Sequence, residues 1–392
     1  MTTSTLALTA AASGFARRGQ LWFYSDDLAS PPPTRAQLVR VRDAEGRDLG
    51  LGITGTGKLC LRLAGPWPGD DVPDRSEFFT ARLQAAIERR SASLGPDAAC
   101  RLVHGEADLL PGLVVDRYGP VLVLQGTSAY VEECLDAIVP FLVQRLGSDS
   151  VVARHDVAVR RFENLPAEVR LLHGSRVETV VVQEHGLRHT VRPFTGHKTG
   201  FYLDQAPARA LVRQLAKGRS VLDLFAYQGG FARNALRGGA VAALAVDQSA
   251  EALQVAAADA RADGLEGLTT VAADVFEHLR TVRQDGQQFD LVVCDPPAFA
   301  KSRRELDGAE TGYRDLNRLA LRLLAPHGLL VTCTCSHHVD GPRFEKLVRQ
   351  AAAGLPFRVV LRQRLGAGPD HPVLLTHPES EYLKVLLLQR MD

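Results

Sequence analysis

The chain has 392 residues, 45% of them hydrophobic and 23% charged, with a formal net charge of +1. That length calls for roughly two or three domains, and that balance belongs to a soluble globular protein. Near-neutral charge argues against a chain that is basic throughout, so any grip on nucleic acid rests on local clusters. No apolar run approaches the ~20 residues of a membrane span. The opening MTTSTLALTAAASGFARR lacks a basic segment before an apolar core, so no secretory signal is expected. The six cysteines are scattered, which reads as reduced thiols in a cytoplasmic protein rather than a disulfide framework.

In chain order, residues 1–72 predict a small β-rich module. Apolar alternation at Gln37 to Val41 and Leu59 to Leu63 is punctuated by Gly46, Gly50, Gly52, Gly55 and Gly57. Pro66, Pro68, Gly69 and Pro73 read as a linker. Residues 73–194 predict an α+β middle domain: a helix from Glu77 to about Ser91, and strands at Arg101–His104, Leu113–Asp116, Val121–Gln125, Val151–Arg154 and Thr179–Gln183. A helix from Val131 to Leu146 interrupts them. From residue 195 to 392 the pattern becomes strict alternation of helix and strand, which implies a mostly parallel, doubly wound sheet covered on both faces. The fold class is therefore α/β, with its Rossmann-like half at the C-terminus.

That half is organised around SVLDLFAYQGGFARNALRGGAVAALAVD, Ser220 to Asp247. It reads as strand, glycine turn, helix, strand, with ligand space at the carboxyl ends of the strands. A dinucleotide site would carry G-x-G-x-x-G facing a pyrophosphate; here only Gly229 and Gly230 stand in the turn, and the acid Asp223 sits in the first strand end. An uncharged or cationic ligand with a ribose suits this better, and S-adenosylmethionine (SAM) is such a ligand. Asp247, Asp274 and Asp295 each close a strand. Asp247 suits ribose hydroxyls, whereas Asp274 suits either an adenine edge with the Val275 amide or the N-cap of the next helix. In Asp295-Pro296-Pro297 two prolines stiffen the turn and remove donors, presenting a rigid polar edge of the kind a flipped-out base needs.

Thr332 to Ser336, TCTCS, follows an apolar strand. A partly exposed strand end suits a reactive thiolate, and methylation at carbon 5 of a pyrimidine needs a nucleophile at carbon 6. Cys333 and Cys335 fall on the same face of an alternating strand, so periodicity does not choose between them. His337 and His338 lie nearby, but no second ligand pair at zinc-finger spacing exists and no metal is expected.

GEADLLPGLVVDRYG (from Gly105), GHKTGFYLDQ (from Gly196), VLDLFAYQGGF, DPPAFAKS, GYRDLN, CTCSH and DHPVLLTHPESEYLK occur in that order. On these motifs, spread over nearly the whole chain, it resembles the 23S ribosomal RNA cytosine-5 methyltransferases of the RlmI/RlmO type. The resemblance implies an N-terminal PUA-like RNA-binding domain, a middle α+β domain and a class I SAM-dependent methyltransferase domain. It implies Cys335 as nucleophile and Asp295 as the base-orienting acid. It places SAM among Thr199, Phe201, Leu203, Asp223, Phe225, Tyr227, Gln228, Gly229, Asp247, Gln248, Asp274, Val275 and Asp295. Other RNA cytosine-5 methyltransferases carry a second cysteine after the motif proline, where this chain has Ala298, which leaves open the base that removes the carbon-5 proton.

Implied partners are 23S ribosomal RNA or a ribosomal assembly particle, gripped in part by Lys301, Arg303 and Arg304. No membrane partner is expected, and the middle domain offers a homodimer contact. Two other functions compete: a base-nitrogen methyltransferase that needs no Cys335, and a non-catalytic RNA-binding assembly factor.

Overall fold

The structure, a computed structural model, describes residues 4–93, 95, 97–300 and 303–392, apart from the side chains of Ser93 and Arg303. Lys301 and the Arg303 side chain, expected on RNA phosphates, therefore lie outside the described residues. The chain forms two compact units. One comprises the chain up to Gln183 with Val191–Leu203 and Pro369–Ser380; the other comprises Glu184–Thr190, Asp204–Gly368 and Glu381–Asp392.

The first unit contains two five-stranded sheets. In the N-terminal one the order is Thr5–Ala7, Leu38–Arg42, Asp48–Thr54, Leu59–Gly65, Trp22–Tyr24. Asp48–Thr54 was not expected as a strand, because its glycines look like turn formers. They are close-approach positions instead. Gly50 adopts φ +93°, and a Cβ there would stand 2.2 Å from the Gly65 carbonyl oxygen of the neighbouring strand. The helix Ala10–Arg17 was also missed; Thr9 caps it by accepting from the Ala12 amide at 3.3 Å.

The other sheet runs Val169–Gly174, Ser150–Arg154, Val121–Gly126, Leu113–Tyr118, Ala99–His104. The expected helix after the linker begins at Arg75, where Asp74 accepts from the Glu77 amide at 2.8 Å, and ends at Arg89. The single helix expected over 131–146 is two, Ala129–Glu133 and Leu135–Leu146. Ser128 caps the first separately, and the backbone breaks at Cys134. One apolar core joins Leu51, Ile53 and Ala64 to Phe78, Phe79, Leu102, Leu124 and Ile138.

In the second unit the strands are β1 (Ser220–Leu224), β2 (Ala242–Asp247), β3 (Leu268–Ala272), β4 (Phe289–Cys294), β5 (Leu324–Thr334), β6 (Val359–Leu365) and β7 (Lys384–Arg390). The helices are α1 (Ala206–Leu215), α2 (Gly230–Arg237), α3 (Ala250–Ala262), α4 (Val275–Gln284), α5 (Leu306–Arg322) and α6 (Gly341–Ala352). The sheet order is β3-β2-β1-β4-β5-β7-β6, parallel except for β7, which runs antiparallel to both of its neighbours. Two apolar cores cover opposite sheet faces, as the alternation required. α6, β6 and β7 were not anticipated. β7 carries the unbroken run Val385, Leu386, Leu387 and Leu388, buried on both faces, which suits its place between two strands.

Candidate functional site

Strand order reverses on either side of β1, so the carboxyl ends of β1, β2 and β4 border a crevice. Asp223 lies in β1, Asp247 ends β2, Asp295 follows β4 and Cys335 follows β5. The topology thus brings these four together at one edge.

The loop after β1 is unusual. Phe225, Tyr227 and Gly229 have φ of 60°, 49° and 65°. Left-handed geometry costs a non-glycine residue ~1–3 kcal/mol, and it persists where surrounding bonds over-determine it. Here the Tyr227 amide donates to Asp247 Oδ2 at 2.8 Å, Ala226 N donates to Val246 O at 3.0 Å, and Gly229 N donates to Ala226 O at 2.7 Å. The second Asp247 oxygen accepts from Ser249 N at 2.8 Å. Asp247 therefore shapes the loop as well as bordering the crevice. Gly229 packs so closely that a Cβ would meet that of Ala256 at 3.0 Å.

Asp223 is fully buried. Its Oδ2 accepts from Ala232 N, in the first turn of α2, at 2.9 Å, while Oδ1 has no partner among the described residues. Burial pushes this carboxyl up to about 8, against the Ala232 hydrogen bond, and the charges of Asp295 and Asp247 add to the rise. Gln228 is likewise buried with its Oε1 unpartnered. Two orphaned acceptors beside a strained loop fit a ligand that brings cationic or N–H groups.

Asp274 caps α4, its Oδ1 accepting from Glu277 N at 3.0 Å, with Gln248 Nε2 at 3.4 Å from Oδ2. The capping alternative is realised, and the other carboxylate oxygen is turned to Gln248. Val275, the first residue of α4, is buried.

Beyond β4, Asp295 is half-buried, Pro296 buried and Pro297 exposed. This loop is tied to the end of β5 through Tyr313 of α5. The Tyr313 hydroxyl accepts from Phe299 N at 3.4 Å and from Thr334 Oγ1 at 2.8 Å, and its ring lies 4.7 Å from that of Phe299. Ser336 N donates to Thr334 Oγ1 at 3.2 Å, and Ser336 Oγ donates to Ala300 O at 3.2 Å. Sequence reasoning assigned no role to Tyr313, although its motif GYRDLN was noted.

The structure separates the two cysteines that alternation could not. Cys333, inside β5, is fully buried, and burial drives its thiol far up. Cys335, one residue beyond β5, is half-buried. Only the latter meets the exposure that a nucleophile requires.

Thr199, Phe201 and Leu203 fall in the first compact unit. The Thr199 hydroxyl donates to Asp116 at 2.5 Å and sits 2.9 Å from the Tyr118 hydroxyl. Asp116 is in turn forked by Arg101 at 2.7 and 2.8 Å. Phe201 and Leu203 are buried in an apolar cluster with Tyr118, Val152 and Val182. These three side chains are occupied in their own unit's interior.

Sheet order, strained loop and strand-end acids define the SAM-dependent methyltransferase class. The family model described as S-adenosylmethionine-dependent methyltransferase matches residues 100–388, and a PUA-like domain matches residues 6–63. Proteins named ribosomal RNA large subunit methyltransferase I from Photobacterium profundum and Aeromonas hydrophila are 38% and 40% identical, each alignment covering 94% of both chains. The chain belongs to that methyltransferase family. A crystal structure of a candidate methyltransferase complexed with SAH covers 98% of this chain and 100% of its own at TM-score 0.84 and 23% identity, a likeness of fold. Among the described residues, no helix is long and apolar enough to cross a membrane.

Proposed function

We propose that the protein methylates carbon 5 of a cytidine in 23S ribosomal RNA in the cytoplasm. The observation that carries this reading is Cys335, a half-exposed thiol at the crevice edge, with Tyr313 tying Thr334, the residue before it, to Phe299 in the loop after Asp295. A base-nitrogen methyltransferase needs no such thiol.

Within the second unit, Asp223, Phe225, Tyr227, Gln228, Gly229, Asp247, Gln248, Asp274, Val275 and Asp295 would hold SAM. Bound there, SAM supplies an electrophilic methyl group. Asp247 offers its carboxylate to ribose hydroxyls, and Asp223 and Gln228 offer their open acceptors to cationic and N–H groups. Asp295 holds the edge of the flipped cytosine and supports protonation at ring nitrogen 3. The Cys335 thiolate adds to carbon 6, which makes carbon 5 nucleophilic; after methylation, loss of the carbon-5 proton expels the thiolate. The PUA-like module, residues 1–72, and the middle domain, residues 73–194, would position the RNA for the methyltransferase domain.

The test incubates the protein with SAM and ribosomal RNA containing 5-fluorocytidine. Fluorine at carbon 5 cannot leave as a proton, so the adduct is trapped and visible on a denaturing gel. A crosslink at Cys335, lost in Cys335→Ala, supports the reading. Methylation of ordinary RNA without any adduct refutes it and favours base-nitrogen chemistry.

A further inference from the structure

We propose that a cleft on the PUA-like module holds one unpaired nucleobase of the RNA, stacked against aromatic side chains. This rests on the reading that the substrate is RNA, and not on Cys335 as the nucleophile.

Helix Ala10–Arg17, strand Trp22–Tyr24 and the segment Thr376–Glu379 border a cleft of about 440 Å³, all within the first unit. That volume is in the range of small-molecule sites, and it suits one nucleoside rather than a duplex. The third wall comes from the far end of the chain and is fixed by the fold. Gly19 has φ +96°, and a Cβ there would stand 2.1 Å from the Thr376 Cβ, so glycine lets the segment seat. His377 N donates to Leu374 O at 2.7 Å, and Ser380 Oγ donates to His377 O at 2.7 Å. Leu374 packs on the module's apolar core. Trp22 is equally held. Its Nε1 donates to Glu106 Oε1 at 3.0 Å, and Gln20 Nε2 donates to its carbonyl at 2.8 Å. The buried His377 ring lies T-shaped to the indole, with centroids 4.8 Å apart. The cleft is therefore preformed, which spares a ligand the entropy of ordering it.

Two aromatic rings in this cleft are left to water. Phe15 is 46% exposed and Tyr24 53%, whereas Phe23 between the cleft strand's other residues is fully buried. Large aromatics exposed together in one concavity mark an interaction site. The Arg18 guanidinium lies over the Phe15 ring, 4.8 Å from its centroid. Among the described residues no carboxylate pairs with Arg18, while its neighbour Arg17 is paired with Asp43 and Glu45. Aromatic faces and guanidinium planes are the groups on which unpaired bases stack, and the Gln20 amide and His377 imidazole add hydrogen-bonding groups beside them. The charged residues lining the cleft are Arg18 and Glu379, and the Glu379 carboxylate is 3.2 Å from His377 Nδ1. One cation beside one anion is too little positive charge for a phosphate cradle, so the base is the part of RNA that fits. A duplex keeps its base faces stacked inside, and only an unpaired base can present them here.

The test uses the full-length protein carrying Trp67→Phe, so that Trp22 is its only tryptophan. Its emission is titrated with a short single-stranded oligoribonucleotide, and with the same strand annealed to its complement. The single strand should quench Trp22 saturably, and the duplex should bind about tenfold more weakly or less. Phe15→Ala and Tyr24→Ala should each weaken single-strand affinity by about tenfold, the loss of one stacking face, while Tyr24→Phe keeps it. Both side chains are about half exposed, so these variants keep the fold, which circular dichroism checks. Equal affinity for the duplex, binding that leaves Trp22 unquenched, or Phe15→Ala and Tyr24→Ala binding as tightly as wild type each overturns the cleft as a base site and leaves it to a protein partner. Wild type that retains no RNA at all in filter binding would instead overturn the RNA reading itself, a different result from an unmoved titration.

Discussion

Replacing Asp223 by Asn should make the second unit more stable at alkaline pH, and the gain should fade on acidification. The native carboxyl titrates at about 8 against an ordinary 3.8, because it is fully buried. Between those values the folded state holds a proton that the unfolded chain has released. Stability therefore falls as pH rises, by about 1.4 kcal/mol per unit, and levels off above about 8. Across the window of about four pH units the ceiling is about 6 kcal/mol, and relaxation around the carboxylate brings the working figure to about 2–4 kcal/mol. Asn keeps the acceptor for Ala232 N and carries no ionisable group. Trp22 and Trp67 both belong to the first unit, so their fluorescence reports the wrong part of the chain. Amide hydrogen exchange in peptides spanning β1, corrected for intrinsic rates, reads the right one. The difference in opening free energy between variant and wild type should be largest at pH 8 and shrink steadily towards pH 4–5. Parallel pH dependences in the two proteins would refute the assignment of a raised, proton-holding Asp223.

Cys333→Ala should keep adduct formation on 5-fluorocytidine RNA within a few-fold of wild type while costing about 1 kcal/mol from the cavity left in the sheet; Cys335→Ala should abolish the adduct with little change in melting. Thr199→Val removes the donor to Asp116 and the partner of Tyr118, both buried, and should destabilise the first unit by about 2 kcal/mol. Urea unfolding followed by tryptophan fluorescence checks this, with Thr199→Ser recovering most of the loss and an unchanged midpoint counting against it. Tyr313→Phe should retain the fold, judged by circular dichroism, but slow methyl transfer by about tenfold, since Thr334 and the Phe299 amide lose their shared acceptor. Turnover equal to wild type would show that the brace is dispensable.

Much of the second unit was legible in one dimension because its signals are local. Alternating apolar strands and helices specify a parallel sheet, and short strand-end sequences such as VLDLF, AVDQS and VCDPP place acids at one edge, since parallel strands all point their carboxyl ends the same way. The cap role of Asp274 was readable as an option for the same reason: it depends on three following residues.

What stayed hidden depends on residues far apart in the chain. Gly50 and Gly52 read as turns because the residues that crowd them, Val41, Leu61, Arg62 and Gly65, belong to the flanking strands and not to their own sequence neighbourhood. The hydrogen bonds of the Thr199 hydroxyl to Asp116 and Tyr118 join residues some eighty positions apart, so no local pattern announces them. Cys333 and Cys335 share a strand face, so alternation could not rank them. Only where β5 ends, with β7 paired alongside it, is one thiol buried and the other left half-exposed. The chain's pattern by itself determined the sheet, the acids at its edge and the chemistry they suit; burial and strand pairing, which are sums over distant neighbours, decided which thiol lies inside the sheet and which is left half-exposed.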